Sequence, residues 1–211
     1  VDADGKTGDG AGIMLEVSKT FFKKQISKTG HKSKEDSTIG VGMVFLPKQD
    51  FGAQEKCRAI MEYEVIKSGM NLFGWRQVPV DSTIIGEKAN YTRPEIEQLI
   101  FSPKDKNENI EKTLFLTRRR IENKIKSLNI SDFYICSLSS EVIVYKGMFL
   151  AEQLSSFYPD LLDKDFKSKF AIYHQRYSTN TFPTWSLAQP FRILAHNGVI
   201  NTLKGNVNWM S

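Results

Sequence analysis

The chain has 211 residues, of which 40% are hydrophobic, and it carries a formal charge of +5. Its length suits one large domain or two small ones, and its composition is that of a soluble globular protein. The positive excess is too mild to predict nucleic-acid binding by itself, and no apolar run approaches the roughly 18 residues that a membrane span needs.

The two ends of the chain indicate a segment of something longer. Residue 1 is a valine rather than an initiator methionine, and no stop signal follows Ser211. We therefore expect a piece truncated at both ends. No signal peptide opens it, and its two cysteines are interpreted below as the reduced thiols of a cytoplasmic protein. The opening stretch VDADGKTGDGAG predicts a loop, without the later glutamate of a calcium loop or the Gly-Lys-Ser/Thr ending of a phosphate loop.

The chain contains two cysteines, Cys57 and Cys136. Neither has metal-ligand spacing, and two thiols make no disulfide framework. Cys57 lies in a helical pattern and Cys136 in a strand pattern. We predict buried, reduced thiols rather than catalytic ones, and no metal site in this segment.

The first half of the chain alternates predicted strands and helices. GIMLEV (12–17) predicts a short strand, and the helix after it has Ser18 as a possible N-cap and Gly30 as a possible stop. TIGVGMVFLP (38–47) predicts a buried strand, whose two glycines on alternate positions indicate close packing. The segments that follow are a helix over 53–69, a strand or irregular stretch over 70–81, and a short helical or extended stretch over 92–103.

The strongest helical pattern covers residues 109–128. Its apolar side chains Leu114, Phe115, Ile121 and Ile125 fall near one stripe, as in an amphipathic helix. We therefore expect this stripe to face the core.

The same helix carries the run Arg118-Arg119-Arg120. A solvated face paired with Glu111 and Glu122 is favoured over a nucleic-acid patch, because no aromatic side chains interleave with the arginines.

The second half is richer in strands. Residues 132–150 predict a hairpin, because two strand-like runs flank a Ser-Ser-Glu turn. A short helix or turn follows over 151–161, and strands follow over 169–181 and 192–201. About five strands and three or four helices, with strands often adjacent in sequence, favour an α+β or layered sandwich over a doubly wound parallel sheet.

Polar residues stand at the ends of the last two predicted strands. Alternation along the first of them places Phe170, Ile172, His174 and Arg176 on one side. A cation at the end of a buried strand needs an anionic partner, and no acidic residue follows Ser168. The guanidinium suits a ligand carboxylate, and a distant Asp or Glu would serve equally well.

The second polar end is His196-Asn197-Gly198. A side-chain amide beside a glycine N–H is the equipment of an oxyanion hole, but Asn-Gly is also the commonest hairpin turn, and the motif alone favours the turn. His174 and His196 are more readily core residues than bases, since no serine or cysteine partner is identifiable for either.

Four segments carry a resemblance to a known family: DADGKTGDGAG, FYICSLSSEVIVYKGM, HQRYSTNTFPTWSLAQPFRILAHNG and INTLKGNVNWM. Together they resemble the amidotransferase domain of glutamate synthase large chains, in the right order and over nearly the whole chain. Other class II glutamine amidotransferases share only the shorter R…HNG skeleton. The resemblance implies an α+β fold of the N-terminal-nucleophile hydrolase type, a four-layer αββα sandwich that is incomplete here. Residues 1–211 would then be one partial domain.

The resemblance also implies an activity and a site. That family hydrolyses glutamine to glutamate and ammonia with an N-terminal cysteine thiol, and the chain's own α-amine is the base. By motif, Arg176 would bind the α-carboxylate of glutamine, and Thr179 and Asn180 would line the same pocket. The side-chain amide of Asn197 and the N–H of Gly198 would form the oxyanion hole.

The chain departs from the family at its nucleophile. The family's cysteine lies a few dozen residues before the segment that begins here, and Cys57 and Cys136 are internal. The acidic residue that holds the substrate ammonium lies beyond the last residue. We therefore expect this segment to be inactive alone. The competing interpretations are a pseudo-enzyme or binding module that has lost its nucleophile, and another class II amidotransferase.

For the full-length protein, the resemblance implies a second, synthase domain in the same polypeptide. Ammonia would reach it through an internal tunnel, and FMN and an iron–sulfur cluster would support reductive transfer onto 2-oxoglutarate. The electrons would come from NADPH through a small subunit, or from ferredoxin or NADH in other members of the family. None of those cofactor-binding elements is expected in this segment, and neither nucleic acid nor a membrane is an expected partner.

Overall fold

The computed structural model describes residues 5–34, 37–105, 109–175 and 183–192, together with Asn208 and Met210. Its strands are β1 (Ala11–Glu16), β2 (Gly40–Leu46), β3 (Met70–Gln77), β4 (Glu95–Pro103), β5 (Tyr134–Ser139), β6 (Val142–Gly147) and β7 (Ala171–His174). Its α-helices are α1 (Lys19–Lys28), α2 (Phe51–Lys67), α3 (Glu87–Tyr91), α4 (Ile110–Ser127) and α5 (Leu154–Phe157), with 3-10 turns at Ala151–Gln153 and Pro159–Leu162.

The strands form two antiparallel sheets. The four-stranded sheet has the order β3-β4-β2-β5, and the three-stranded sheet has the order β6-β1-β7. Along the chain, helices lie between many of the strands of both sheets. The predicted α+β class is confirmed, and the antiparallel pairing is incompatible with a doubly wound parallel sheet.

The strand β2 shows how the layers are stacked. All seven of its residues are buried. Val41, Met43 and Phe45 belong to the core shared with β1 and β6, between the two sheets. Val44 and Leu46 belong to a second core, shared with α2 and α4. The continuous apolar run of β2 therefore reflects burial on both faces, and helices, sheet and sheet form three consecutive layers of the predicted sandwich.

The glycines of β2 pack closely, as predicted. A Cβ on Gly40 would collide with the ring of Phe101 on the neighbouring β4. A Cβ on Gly42 would lie 3.0 Å from Cδ1 of Leu138 on β5. These positions therefore exclude side chains because large neighbours already fill the space.

The predicted hairpin over 132–150 is wrong in its pairing. β5 pairs with β2 in one sheet, whereas β6 pairs with β1 in the other. Serine hydroxyls of β5 take over ladder positions: Ser137 Oγ accepts from the N–H of Val144 at 3.2 Å, and Ser139 Oγ accepts from the N–H of Val142 at 3.0 Å. The two strands therefore form a corner that joins the sheets.

The amphipathic helix α4 is confirmed with one correction. Leu114, Ile121 and Ile125 are buried, but Phe115 is 54% exposed. Phe115 is displaced by one residue, about 100° of turn, from Leu114, which takes it off the stripe. Its ring lies 5.2 Å from the guanidinium carbon of Arg118.

The arginine run of α4 is only partly solvated. Arg119 and Arg120 are half-exposed, and Arg119 pairs with Glu122 as predicted. Arg118 is buried against Glu122, so the prediction of a solvated side chain is wrong there. Glu111 pairs with no arginine of the run among the described residues; its carboxylate accepts from the hydroxyls of Ser139 and Ser140 instead.

The remaining elements resolve the ambiguous segments. Residues 70–81 contain β3, and residues 92–103 contain β4, an interior strand.

Ser18 holds the N-cap position of α1, but its hydroxyl donates to the carbonyl of Asp165 instead of capping. Gly30, with φ of +80°, follows the end of that helix as predicted. Within the described ranges, no helix has the length and apolarity that a membrane crossing requires.

Candidate functional site

The five residues that the sequence places in the site, Arg176, Thr179, Asn180, Asn197 and Gly198, lie outside the described residues. The structure describes what leads to them. β7 ends at His174, shortly before Arg176. Residues 183–192, called here the approach segment, lie between Asn180 and Asn197. The predicted strand over 192–201 is described only at Arg192.

Within the described residues, the strand β7 pairs with β1 of the three-stranded sheet, and His174 lies opposite Gly12. Ile172 and His174 are half-buried, whereas Tyr173 is 64% exposed. The predicted alternation is therefore confirmed for Ile172 and His174, but Phe170 lies before β7 and is 44% exposed, and the strand is not fully buried. Burial lowers the pKa of His174, which favours the neutral imidazole at pH 7.

The glycines at the start of β1 make room for the approach segment. A Cβ on Gly12 would lie 2.5 Å from the carbonyl oxygen of Gln189 and 2.6 Å from Cβ of Lys146. A Cβ on Gly10 would lie 3.1 Å from Cβ of Ala188. The Gly-Ala-Gly stretch that looked like part of a loop thus allows one backbone to lie directly on another.

Trp185 fixes the start of the approach segment in the core. Its side chain is buried, and its indole Nε1 donates to the carbonyl of Ala89 at 3.1 Å. The ring packs at right angles to Phe45 and Phe149, with centroids 6.0 and 6.1 Å away. A buried indole with its N–H satisfied is a strong anchor for a chain segment.

A buried lysine holds the segment from the side of β6. Lys146 is 1% exposed, and its Nζ donates to the carbonyl of Ser186 at 2.8 Å and to the hydroxyl of Tyr134 at 3.2 Å. The ammonium also lies 4.4 Å from the ring centroid of Tyr134 and 4.8 Å from that of Phe191. Burial lowers the pKa of Lys146 to about 8.

Arg192 closes the described part of the segment. Its Nη2 donates to the carbonyl of Ile135 at 2.8 Å and to Glu122 at 3.1 Å. Its φ of 46° is unusual for a non-glycine residue. The chain is therefore tied to β5 and α4 at Arg192, the first residue of the predicted strand that carries Asn197.

One wall of a cavity of about 890 Å³ is formed by the approach segment. Four cationic side chains line it against two carboxylates: Lys48, Lys56, Lys88 and Arg93, with Asp50 and Asp132. Nζ of Lys48 donates to the carbonyl of Asn90, and burial, with the nearby Arg93, lowers the pKa of Lys48. The approach segment thus borders a positively charged space.

The two cysteines are buried free thiols, as predicted. Burial raises the pKa of Cys57 to about 11 and that of Cys136 to about 12. Nucleophiles and metal ligands are thiolates, so both are poor candidates for either role. In the part of the chain that is described, no three His, Cys, Asp or Glu side chains are grouped as metal ligands.

Sequence reasoning missed Lys146, Gly12 and Trp185. A single lysine in the otherwise apolar run IVYKGMFL was a signal, because a buried cation needs specific partners. Nothing in the sequence indicated which residues would contact Lys146, since its partners Ser186 and Phe191 lie far along the chain.

Comparisons with known proteins agree on one family. The family model for class-II glutamine amidotransferases matches residues 1–211. The NADPH glutamate synthase large chain of Azospirillum brasilense is 62% identical over all of this chain, which covers 14% of that protein. A chloroplastic ferredoxin-dependent glutamate synthase of Oryza sativa subsp. japonica is 44% identical over 99% of this chain and 13% of its own. The NADPH glutamate synthase large chain of Bacillus subtilis is 42% identical, with 99% and 14% covered. The chain thus spans only a small part of these relatives.

Proposed function

The chain belongs to the class-II glutamine amidotransferases, and from this premise we propose that it is the glutamine-hydrolysing part of a glutamate synthase. The observation that carries the proposal is that similarity to proteins named glutamate synthases extends over the whole chain. The long central stretch is included, which disfavours an amidotransferase that feeds another acceptor. The product ammonia would go to 2-oxoglutarate in a synthase domain of the same polypeptide.

In the proposed reaction, an N-terminal cysteine outside these residues attacks the side-chain amide carbon of glutamine. The carbonyl oxygen becomes an oxyanion, which the Asn197 amide and the Gly198 N–H stabilise. The α-amine base passes the thiol's proton to the amide nitrogen, the C–N bond breaks and ammonia leaves. Water then hydrolyses the resulting thioester to glutamate and the free thiol. Arg176 binds the α-carboxylate of the substrate, and Thr179 and Asn180 line the same pocket.

The described structure favours this assignment because it holds in place the chain that leads to each of the two polar strand ends. β7, which pairs with β1 in the three-stranded sheet, leads to Arg176. The approach segment leads to Asn197 across the same β1, at Gly12. Rigid elements on either side of a pocket are what precise positioning of two groups requires.

FMN and an iron–sulfur cluster belong to the proposed full-length protein, and the described residues do not fit the cluster. Cys57 and Cys136 lie in different cores: Cys57 is on α2, and Cys136 faces the core between the sheets. Cluster ligation takes several convergent thiolates. We propose that other parts of the protein hold both groups. NADPH, through a small subunit, and ferredoxin are the candidate electron donors, and the cytoplasm is the proposed location, although plant relatives are named chloroplastic.

We expect the 211-residue chain alone to release no ammonia from glutamine, because neither of its thiols is an N-terminal nucleophile. The measurement is an ammonia assay of this chain beside the full-length protein. Appreciable release by the chain alone would contradict the missing nucleophile. An inactive full-length protein whose coding sequence lacks an upstream cysteine would favour a pseudo-enzyme or binding module.

Replacing Arg176 by lysine tests the substrate site in the full-length protein. Lysine keeps the charge but loses the planar fork that binds a carboxylate through two hydrogen bonds. We expect the KM for glutamine to rise by about tenfold or more, since one charge-assisted hydrogen bond contributes roughly 1.5–3 kcal/mol. Arg119→Lys, at a half-exposed position of α4, is the matched control and should leave the KM unchanged. An unchanged KM in the Arg176 variant would remove that residue from the site.

A further inference from the structure

We propose that Lys146 is a positioning residue for glutamine hydrolysis: its buried ammonium holds the approach segment, and through it the predicted strand that carries Asn197 and Gly198. This inference rests on the proposed function. Lys146 is not placed in contact with substrate. It acts through the backbone and the aromatic ring to which it binds.

The contacts of Lys146 span the approach segment. Nζ donates to the carbonyl of Ser186, near the start of the segment, and lies 4.8 Å from the ring centroid of Phe191, near its end. On the other side it binds the hydroxyl and the ring face of Tyr134 on β5. One ammonium therefore joins β6, β5 and both ends of the segment.

The charge of Lys146 is what these contacts use. Throughout the described ranges, no carboxylate lies within ion-pair distance of its Nζ. Its partners are a carbonyl, a hydroxyl and two ring faces, and the attraction of a cation to a ring disappears when the amine becomes neutral. A fully buried cation held this way is unusual, because burying a charge is costly unless its partners are well placed.

The neighbouring groups do not titrate where Lys146 does. Burial raises the pKa of Tyr134 and that of Cys136 to about 12, so both stay neutral near pH 8. The guanidinium of Arg192 on the approach segment also acts to lower the pKa of Lys146. His174 on β7 lies opposite Gly12, on the other side of β1 from Lys146. Burial lowers the pKa of His174, so its imidazole is neutral near pH 8. Since burial lowers the pKa of Lys146 to about 8, the ammonium of Lys146 is the charge lost around that pH.

The location of the contacts predicts which kinetic constant responds. Arg192 is the first residue of the predicted strand that carries the two proposed oxyanion donors, and Phe191 precedes it, whereas Arg176 follows β7. A displacement of the approach segment would therefore move the oxyanion donors Asn197 and Gly198 more than it would move Arg176, which is proposed to bind the α-carboxylate. Misplacement of about 1 Å can cost on the order of 100-fold in rate. The effect should fall on kcat and leave the KM for glutamine largely unchanged.

The test compares Lys146→Met and Lys146→Arg in the full-length protein, with Lys24→Met, at an exposed ion pair of α1, as control. We expect Lys146→Met to lower kcat by roughly 10- to 100-fold with less than about a twofold change in KM. Hydrogen exchange at the amides of Leu187 and Ala188, which bond to the carbonyl of Thr184, should become faster. The control should match wild type in all three readouts.

The pH profile separates positioning from a merely structural role. In wild type, kcat should fall as pH rises through about 8, because the protein loses the Lys146 ammonium. Deprotonation of the proposed α-amine base acts in the opposite direction, raising activity with pH. Lys146→Arg stays charged, so its kcat should be partly restored and its high-pH decline absent.

Three outcomes would overturn the inference. They are a wild-type kcat in Lys146→Met, a high-pH decline that persists in Lys146→Arg, and a loss of activity that appears only as a raised KM. If Lys146→Met fails to fold, the pH profile of Lys146→Arg decides. A wild-type protein that releases no ammonia contradicts the proposed function itself, whereas an active wild type with indifferent variants contradicts only the role of Lys146.

Discussion

Replacing Asp160 by asparagine should lower the free energy of unfolding by about 3–5 kcal/mol, because the change leaves a buried charge unpaired. The side chain of Asp160 is 4% exposed, and its two carboxylate oxygens accept from Arg76 at 2.6 and 2.7 Å. The hydroxyl of Tyr145 donates to the same carboxylate at 3.1 Å. These contacts join the two sheets, since Arg76 lies on β3 and Tyr145 on β6.

The measurement is chemical denaturation at pH 7, followed by tryptophan fluorescence. Glu55→Gln is the matched control: it makes the same acid-to-amide change in an exposed pair with Arg58, and it should cost less than about 1 kcal/mol. The double variant Arg76→Met with Asp160→Asn should recover part of the loss, because no unpaired charge remains. Equal losses in Asp160→Asn and in the control would show that the buried pair is not the source of stability.

Replacing Asn197 by alanine in the full-length protein should lower the kcat of glutamine hydrolysis by about 100- to 1,000-fold. One oxyanion-hole donor contributes roughly 2.7–4 kcal/mol to the barrier, because the donor meets a charge that exists only on the reaction path. For the same reason the KM for glutamine should change little.

The assay for this variant is steady-state ammonia release. Asn71→Ala, at an exposed position of β3, removes the same side chain far from the approach segment and should behave as wild type. A near wild-type kcat in Asn197→Ala would contradict the oxyanion assignment and return the Asn-Gly pair to a simple turn.

Periodicity predicted those elements whose burial is one-sided or complete. The stripe of α4 and the apolar run of β2 are examples, and both are found near their predicted bounds. The segment that became β4 was ambiguous, because short runs with charged and apolar residues fit a helix turn or a strand equally well. The segment is a strand because β4 lies between two other strands of a sheet. The residues of those two strands are elsewhere in the chain, so the local sequence does not reveal the pairing.

The pairing of β5 and β6 could not be read from the chain. Strand propensity and a short turn are common to a hairpin and to a corner between sheets. What distinguishes them here is that serine hydroxyls replace backbone acceptors, at Ser137 and Ser139. The same limitation applies to Lys146, whose partners on the approach segment become neighbours only after folding. The roles of Arg176 and Asn197 came from family resemblance and remain predictions.

The position of β1 in its sheet has a consequence for how the chain folds during synthesis. The four-stranded sheet and the helices α2 and α4 are built entirely from residues 40–139, so they can assemble as the chain emerges. Met14 of β1, in contrast, pairs with Val144 and Ile172. At 5–20 residues per second, the ribosome needs on the order of ten seconds to supply those partners. During that interval the apolar β1 lacks both of its described partner strands, and we therefore expect it to benefit from a chaperone.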